Sequence, residues 1–338
     1  MKFGVFDHLD SDGTSLDALY ASRLRLVEAY ERAGIHCYHL AEHHATPLGM
    51  APSPSVFLAS VVQRTRTLRF GPLVYTLSLY HPLRLAEEIC MLDHLSGGRF
   101  QLGVGRGISP IENDFYGVEV PKSQAIYLEA YAVIMQALTA PVLDHAGEFF
   151  RFRQVPMQLR PLQQPHPPVW YGLSNPEGAP WAAKNRVNTV SLAPAKMVRA
   201  STDRYRAEWA ALGRDPASMP LVGLGRHIVI ADSDAEALAI ARRAYTLWHG
   251  SFHYLWNHHN RTGVRPTYGL YPESFDELCA RGQMLAGTAA TVRAQLAAEI
   301  DTAGVNYMLL DIAWGDLSEA EVLRSLDRFA RDVMPGFA

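Results

Sequence analysis

Cysteine is scarce: three in 338 residues, Cys37, Cys90 and Cys279, far apart and without CxxC spacing. An odd, scattered set disfavours a disulfide framework or a structural zinc site, so buried reduced thiols are expected. Excess charge of one sign is missing as well, since 31 Lys and Arg against 34 Asp and Glu leave a formal net charge of −3. Without a basic footprint, neither nucleic acid nor an anionic membrane is an expected partner. No apolar run approaches the ~20 residues of a membrane span, and the opening MKFGVFDHLD lacks the order of a signal peptide, which predicts a cytoplasmic protein. The only lysines are Lys2, Lys122, Lys184 and Lys196, and GxSxG does not occur, so covalent catalysis has little support.

What is present is an ordinary globular composition, 48% hydrophobic and 19% charged. The length exceeds that at which one core usually stops growing, leaving two common domains or one large barrel. Short β-rich runs alternate with stretches of helical spacing, the pattern of parallel β/α units. Strands are expected at Lys2 to Phe6, His36 to Ala41, Leu68 to Val74, Phe100 to Val104, Val169 to Gly172, Val187 to Leu192, Leu221 to Ile230 and Tyr307 to Ile312. Helices are expected at Leu16 to Ala33, Pro54 to Arg64, Pro82 to His94, Gln124 to Leu138, Pro180 to Asn185, Met197 to Leu212, Asp234 to His249 and Ala289 to Ala303, with a last one at Asp316 to Val333. Eight strands with crossover helices describe an α/β fold, a (β/α)₈ TIM barrel forming a single domain over 1–338. Two stretches outside the repeat, 141–168 and 250–287, read as insertions able to cover an active site.

Barrel enzymes place reacting groups after their strands. Strand two is followed by Glu42-His43-His44, and strand three ends Leu73-Val74-Tyr75. Strand four runs into Gly103-Val104-Gly105-Arg106-Gly107, and strand five into Ser174-Asn175-Pro176-Glu177-Gly178. The glycines would let backbone approach a ligand, and Arg106 can hold a phosphate in a bidentate fork. Ser174 and Asn175 before a helical turn offer a second anion contact. The spacing is GxGxG on the fourth strand, not GxGxxG on the first, so a nicotinamide fingerprint is rejected. Adjacent His43 and His44 point different ways, and neither HxH after strand one nor HExxH occurs, so a metal-dependent hydrolase is disfavoured and no metal site is assigned. A phosphate-bearing cofactor beside a histidine remains.

At these residues the chain resembles the bacterial luciferase-like flavin monooxygenases. The likeness runs through MKFGVFDH, AEHHATPLG, HPLRLAEEICMLDHLSGGRFQLGVGRG, SNPEGAPWAAKNR and LAGTAATVRAQLAAEIDTAGVNYMLL. It implies an FMN-binding barrel, usually dimeric and here expected as a homodimer, with reduced flavin from a separate reductase. By similarity Arg106, Ser174 and Asn175 hold the FMN phosphate with backbone near Gly178. Leu73, Val74 and Tyr75 would lie behind the isoalloxazine, with a cis peptide at Leu73-Val74. His43 matches the family's active-site histidine, near the C4a position where oxygen adds to give a hydroperoxide; His44 is expected to be structural. An imidazole there can hydrogen-bond or move a proton, worth roughly 10² to 10⁴ in rate. Unlike luciferase, Arg106 has no neighbouring cysteine and the segment 250–287 is short for a lid, so light emission is not expected and long-chain aldehyde specificity is in question. The expected reaction is oxygenation of a small organic substrate, an aldehyde among the candidates. F420-dependent hydride transfer and a non-catalytic flavin carrier are the alternatives. Phe6, Tyr75, Trp248, Phe252, Trp256 and Tyr268 are candidate cavity aromatics.

Overall fold

The computed structural model describes residues 1–173, 175–261 and 271–337. Ser174 and Tyr268 lie outside them. The main staves are β1 (Lys2–Asp7), β2 (Cys37–Leu40), β3 (Arg69–Pro72), β5 (Leu102–Gly105), β8 (Val169–Gly172), β9 (Asn188–Ser191), β10 (Val222–Ile230) and β12 (Tyr307–Asp311), all parallel. Their order is β3-β2-β1-β12-β10-β9-β8-β5, with the short β4 (Tyr75–Thr76) on β5. A bridge between Phe70 and Phe100 joins β3 back towards β5, closing the (β/α)₈ barrel. All eight expected strands form. A further one, β11 (Met284–Gly287), pairs with the far half of β10.

Outside the staves run α1 (Leu16–Arg32), α2 (Pro54–Arg64), α3 (Pro82–Ser96), α4 (Pro110–Phe115), α5 (Ser123–Thr139), α6 (Ala179–Lys184), α7 (Ala195–Ala211), α8 (Asp234–His258), α9 (Phe275–Ala280), α10 (Ala289–Ala303) and α11 (Glu319–Arg328). Pro82 opens α3 at a position where its missing N–H costs nothing, and Gly34, at φ +77°, follows the end of α1. The inside of the barrel is filled by Phe6, Ala41, Leu73, Trp170, Val190, Tyr307 and Leu309. Two polar pairs are satisfied within it: His39 Nε2 lies 2.8 Å from the Tyr307 hydroxyl, and Trp170 Nε1 donates to Gln101 Oε1 at 3.0 Å. The barrel is therefore a packed core, with its ligand space at the rim.

The two segments read as insertions have structure of their own. Within 141–168, β6 (Val142–Ala146) and β7 (Arg151–Pro156) pair as an antiparallel hairpin. Its tip is held by Glu129 of α5, whose carboxylate accepts the N–H groups of Glu148, Phe149 and Phe150. Phe150 and Phe152 set their edges against His81 at the start of α3. These contacts pin the hairpin to the outer flank of the barrel. In 250–287, helix α8 continues to His258, past the expected His249, because Trp248 and Phe252 stack one turn apart at 5.1 Å and His253 is tied to the His249 carbonyl at 3.0 Å.

Candidate active site

The ends of β2, β3, β5 and β8 follow one another around the barrel, so the segments after them share one side of its rim. Arg106 directly follows β5; its side chain is exposed and has no hydrogen bond or ion pair to another described residue. Val104 pairs with Tyr171 of β8, which brings the turn at Asn175 to the neighbouring strand end. Asn175 is exposed, and its Oδ1 accepts from Glu177 N at 3.1 Å, capping a 3₁₀ turn over Pro176–Gly178 that leads into α6. Gly178 is half-buried at the end of that turn.

The Leu73–Val74 peptide is cis, as the resemblance implies, and Leu73 N donates to Leu40 O at 2.7 Å. Tyr75 does not face the rim. It is fully buried, its hydroxyl 2.7 Å from Ser55 Oγ of α2, so its ring belongs to the helix layer and only its backbone borders the strand ends. The glycines of β5 also serve a different purpose from the one expected. A Cβ on Gly103 would come within 2.0 Å of Pro72 O, and one on Gly105 within 2.5 Å of Val74 Cγ2. They admit the neighbouring strand rather than a ligand.

His43 is the centre of a hydrogen-bonded group. Its Nδ1 lies 3.1 Å from Glu112 Oε1, and the same oxygen accepts the His44 amide at 3.1 Å. An oxygen already accepting that N–H takes another donor, so Nδ1 carries the hydrogen and Nε2 is the basic atom of the neutral ring. Glu112 is buried in α4, where Ser109 caps its amide at 3.3 Å. Ser-x-x-Glu at a helix start reads as a capping box, whose Glu would reach back to the cap; here it turns to His43 instead. No local signal ties Glu112 to a histidine 69 residues away. His44 is structural: Nε2 is 3.0 Å from Glu42 Oε1 and Nδ1 is 2.8 Å from the Tyr116 hydroxyl. The Tyr80 hydroxyl donates to Glu42 Oε2 at 2.7 Å, and burial pushes the Glu42 carboxyl above its ordinary value.

A cleft opens beside His43, with Glu112, Leu48 and Ile108 on one side and Phe252, Leu255 and Trp256 of α8 on the other. Of the candidate cavity aromatics, Phe252 and Trp256 thus line it, whereas Trp248 is fully buried and Phe6 fills the barrel.

A family model described as luciferase-like monooxygenase matches residues 1–307. The chain belongs to that family. It is an enzyme of the luciferase-like oxidoreductase type. Among curated relatives it is 44% identical over 317 residues to the uncharacterised protein y4wF of Sinorhizobium fredii, covering 94% of this chain and 92% of that one. It is 29% identical over 249 residues to the oxygenase component of flavin-dependent trigonelline monooxygenase from Acinetobacter baylyi, covering 71% and 68%. Among solved structures, monooxygenase RslO1 from Streptomyces bottropensis superposes with a TM-score of 0.88 at 25% identity, each chain fully covered. No helix among the described residues is long and apolar enough to cross a membrane.

Further polar residues at the rim were not singled out from sequence. His8, after β1, stacks on His43 with ring centroids 5.8 Å apart. Its Nδ1 faces Asp311 of β12 at 3.5 Å, and His227 Nε2 of β10 faces the same Oδ2 at 3.4 Å. His8 follows β1, Asp311 ends β12 and His227 lies within β10, strands far apart in the chain, so no local signal links them.

Proposed function

We propose that the chain is the oxygenase of an FMN-dependent monooxygenase, which takes reduced flavin from a separate reductase and oxygenates a small organic substrate. The observation that carries this reading is His43, held by Glu112 beside an apolar cleft on the side of the rim that also bears Arg106. An exposed guanidinium with no partner among the described residues suits a phosphate, and Asn175 on the neighbouring strand end supplies an amide. By the resemblance, the backbone near Gly178 and Ser174, which lies outside the described residues, would join them. Reduced FMN, when bound, supplies the electrons with which oxygen is activated at the flavin C4a. The backbone of Leu73, Val74 and Tyr75 would back the flavin ring, and His43 Nε2 would take or return the proton that oxygen transfer requires. Phe252, Leu255 and Trp256 keep water from the reacting atoms.

The relative described as an oxygenase component supports a separate reductase. A homodimer is supported by Val56 of α2 and Met91 and Leu95 of α3, which are 71%, 53% and 57% exposed on adjoining helices. The test is binding and turnover: purified protein titrated with FMN and with F420, then reduced FMN mixed with oxygen and candidate substrates. FMN binding with oxygen incorporated into product is expected. Binding of F420 alone, or peroxide release with every substrate and no dependence on His43, refutes the reading.

A further inference from the structure

Five side chains in the layer behind His43 carry buried polar atoms with no hydrogen-bond partner among the described residues: His8 Nδ1, His227 Nε2, Asp311 Oδ1, Trp248 Nε1 and Trp314 Nε1. They touch one another. His227 sets its edge against Trp248 at 4.4 Å and Trp314 at 4.8 Å, and His8 lies 5.7 Å from Trp248. Each such group costs about 1 to 3 kcal/mol of desolvation, so a fold that gathers them in one place is not using them for stability. Among the described residues no group of His, Cys, Asp and Glu is arranged to hold a metal ion. The Asp311 carboxylate stands between two imidazoles, 3.5 Å from His8 and 3.4 Å from His227, and His8 alone stacks on His43.

We propose that Asp311, His8 and His227 form a buried proton store behind His43, and that His8 passes its proton toward the His43 side of the pocket. This rests on the oxygenase reading for its use, though not for its existence. The step balances within the chain. The Asp311 O–H bond breaks as His8 Nδ1–H forms, the His8 Nε2–H proton is given to an oxygen of water or substrate in the pocket, and Asp311 is left as a carboxylate, with His8 in its other neutral tautomer, until Asp311 takes up a proton again.

The surroundings favour one proton over several. Burial raises Asp311 to about 7 and lowers His8 to about 3 and His227 to about 4, so below about pH 7 a proton entering the cluster sits on the carboxyl before either imidazole. The other titratable and charged groups facing the cluster are Asp7 and Asp10 beside β1, Arg23 and Tyr30 of α1, His43 after β2, Arg226 of β10 and Tyr271 ahead of α9. Arg23 is buried between Asp7 at 3.5 Å and Asp10 at 3.2 Å, and Gly315 N donates to Asp10 at 2.6 Å. That clamp fixes the turn on which His8 sits.

The test needs no flavin at first. Infrared spectra of the whole protein are recorded between about pH 5 and about pH 8, around the Asp311 midpoint, for wild type, Asp311→Asn and Asp10→Asn, with histidine ¹⁵N spectra in parallel. Expected is a protonated-carboxyl C=O component that Asp311→Asn removes and Asp10→Asn keeps, with the His8 resonances shifting at the same midpoint in wild type and Asp10→Asn but not in Asp311→Asn. Absence of a band specific to Asp311 across that range overturns the store. A band whose titration leaves the His8 resonances unmoved overturns the transfer. With FMN bound, His8→Gln is expected to slow oxygen transfer roughly 10²-fold and to flatten its pH profile; an unchanged profile also overturns the transfer. Failure of the protein to bind FMN in the same preparation would sink the oxygenase reading while leaving the infrared result standing.

Discussion

Removing the Glu112 carboxylate tests whether His43 is an oriented base or a bystander. In Glu112→Gln the amide oxygen still accepts from His43 Nδ1 and from the His44 amide, so geometry survives while a charge-assisted bond becomes a neutral one. The difference between those classes is about 1 to 1.5 kcal/mol, or roughly tenfold in any step using His43. Glu112→Ala removes both bonds, each 3.1 Å in the native protein. It strands the buried His44 N–H at a cost of about 1 to 3 kcal/mol in stability, and frees the imidazole to flip and exchange tautomers. A rate loss of roughly 10² is expected, inside the span assigned to general acid–base catalysis. Rapid mixing of the reduced-FMN complex with oxygen, followed by flavin absorbance and product release, reads the rate, and urea denaturation reads the stability. Because Glu112 acts only through His43, adding Glu112→Ala to His43→Ala should change the rate by less than about threefold. Full additivity of the two losses refutes the orienting role, since Glu112 would then touch the chemistry by another route.

Arg106→Ala should weaken FMN roughly 10- to 100-fold, the worth of a hydrogen bond to a charged group, and leave riboflavin, which lacks the phosphate, unchanged in a fluorescence titration. Val56→Asp combined with Met91→Glu should convert a dimer to monomer in light scattering, without lowering the monomer's FMN affinity. Stability should fall as pH drops from about 6.5 towards about 4. Burial lowers His8 and His39 to about 3 and His227 to about 4, so the unfolded chain takes up protons there that the folded one does not. Asp10 and Asp311, raised by burial to about 7, act in the opposite sense. Burial lowers His36 to about 4 and raises Glu42 as well, so four histidines against three carboxyls leave a slope on the order of 1.4 kcal/mol per pH unit, measurable by denaturant titration across that range; stability that is flat or rises on acidification contradicts it.

The barrel was legible because its staves are buried on both faces and so appear as continuous apolar runs, such as Leu221 to Ile230. Met284–Gly287 escaped because four residues without alternation carry no period. The extension of α8 was obscured by histidines, yet Trp248, Phe252 and Leu255 keep helical spacing through them. The rim divides in the same way. His43, Arg106 and Asn175 follow strands directly and could be named from position. Glu112 lies 69 residues from the histidine it holds, and Asp311 more than 300 from His8. Partners of that kind depend on which strand ends become neighbours, a property of the closed barrel and not of any local window.

One wall of the cleft is a single helical face, since Phe252, Leu255 and Trp256 fall three and four positions apart on α8. Three codons therefore govern that wall's depth and contour. Randomising them would retune which molecules are accepted while every stave, and the hydrogen-bonded histidine opposite, stays as it is.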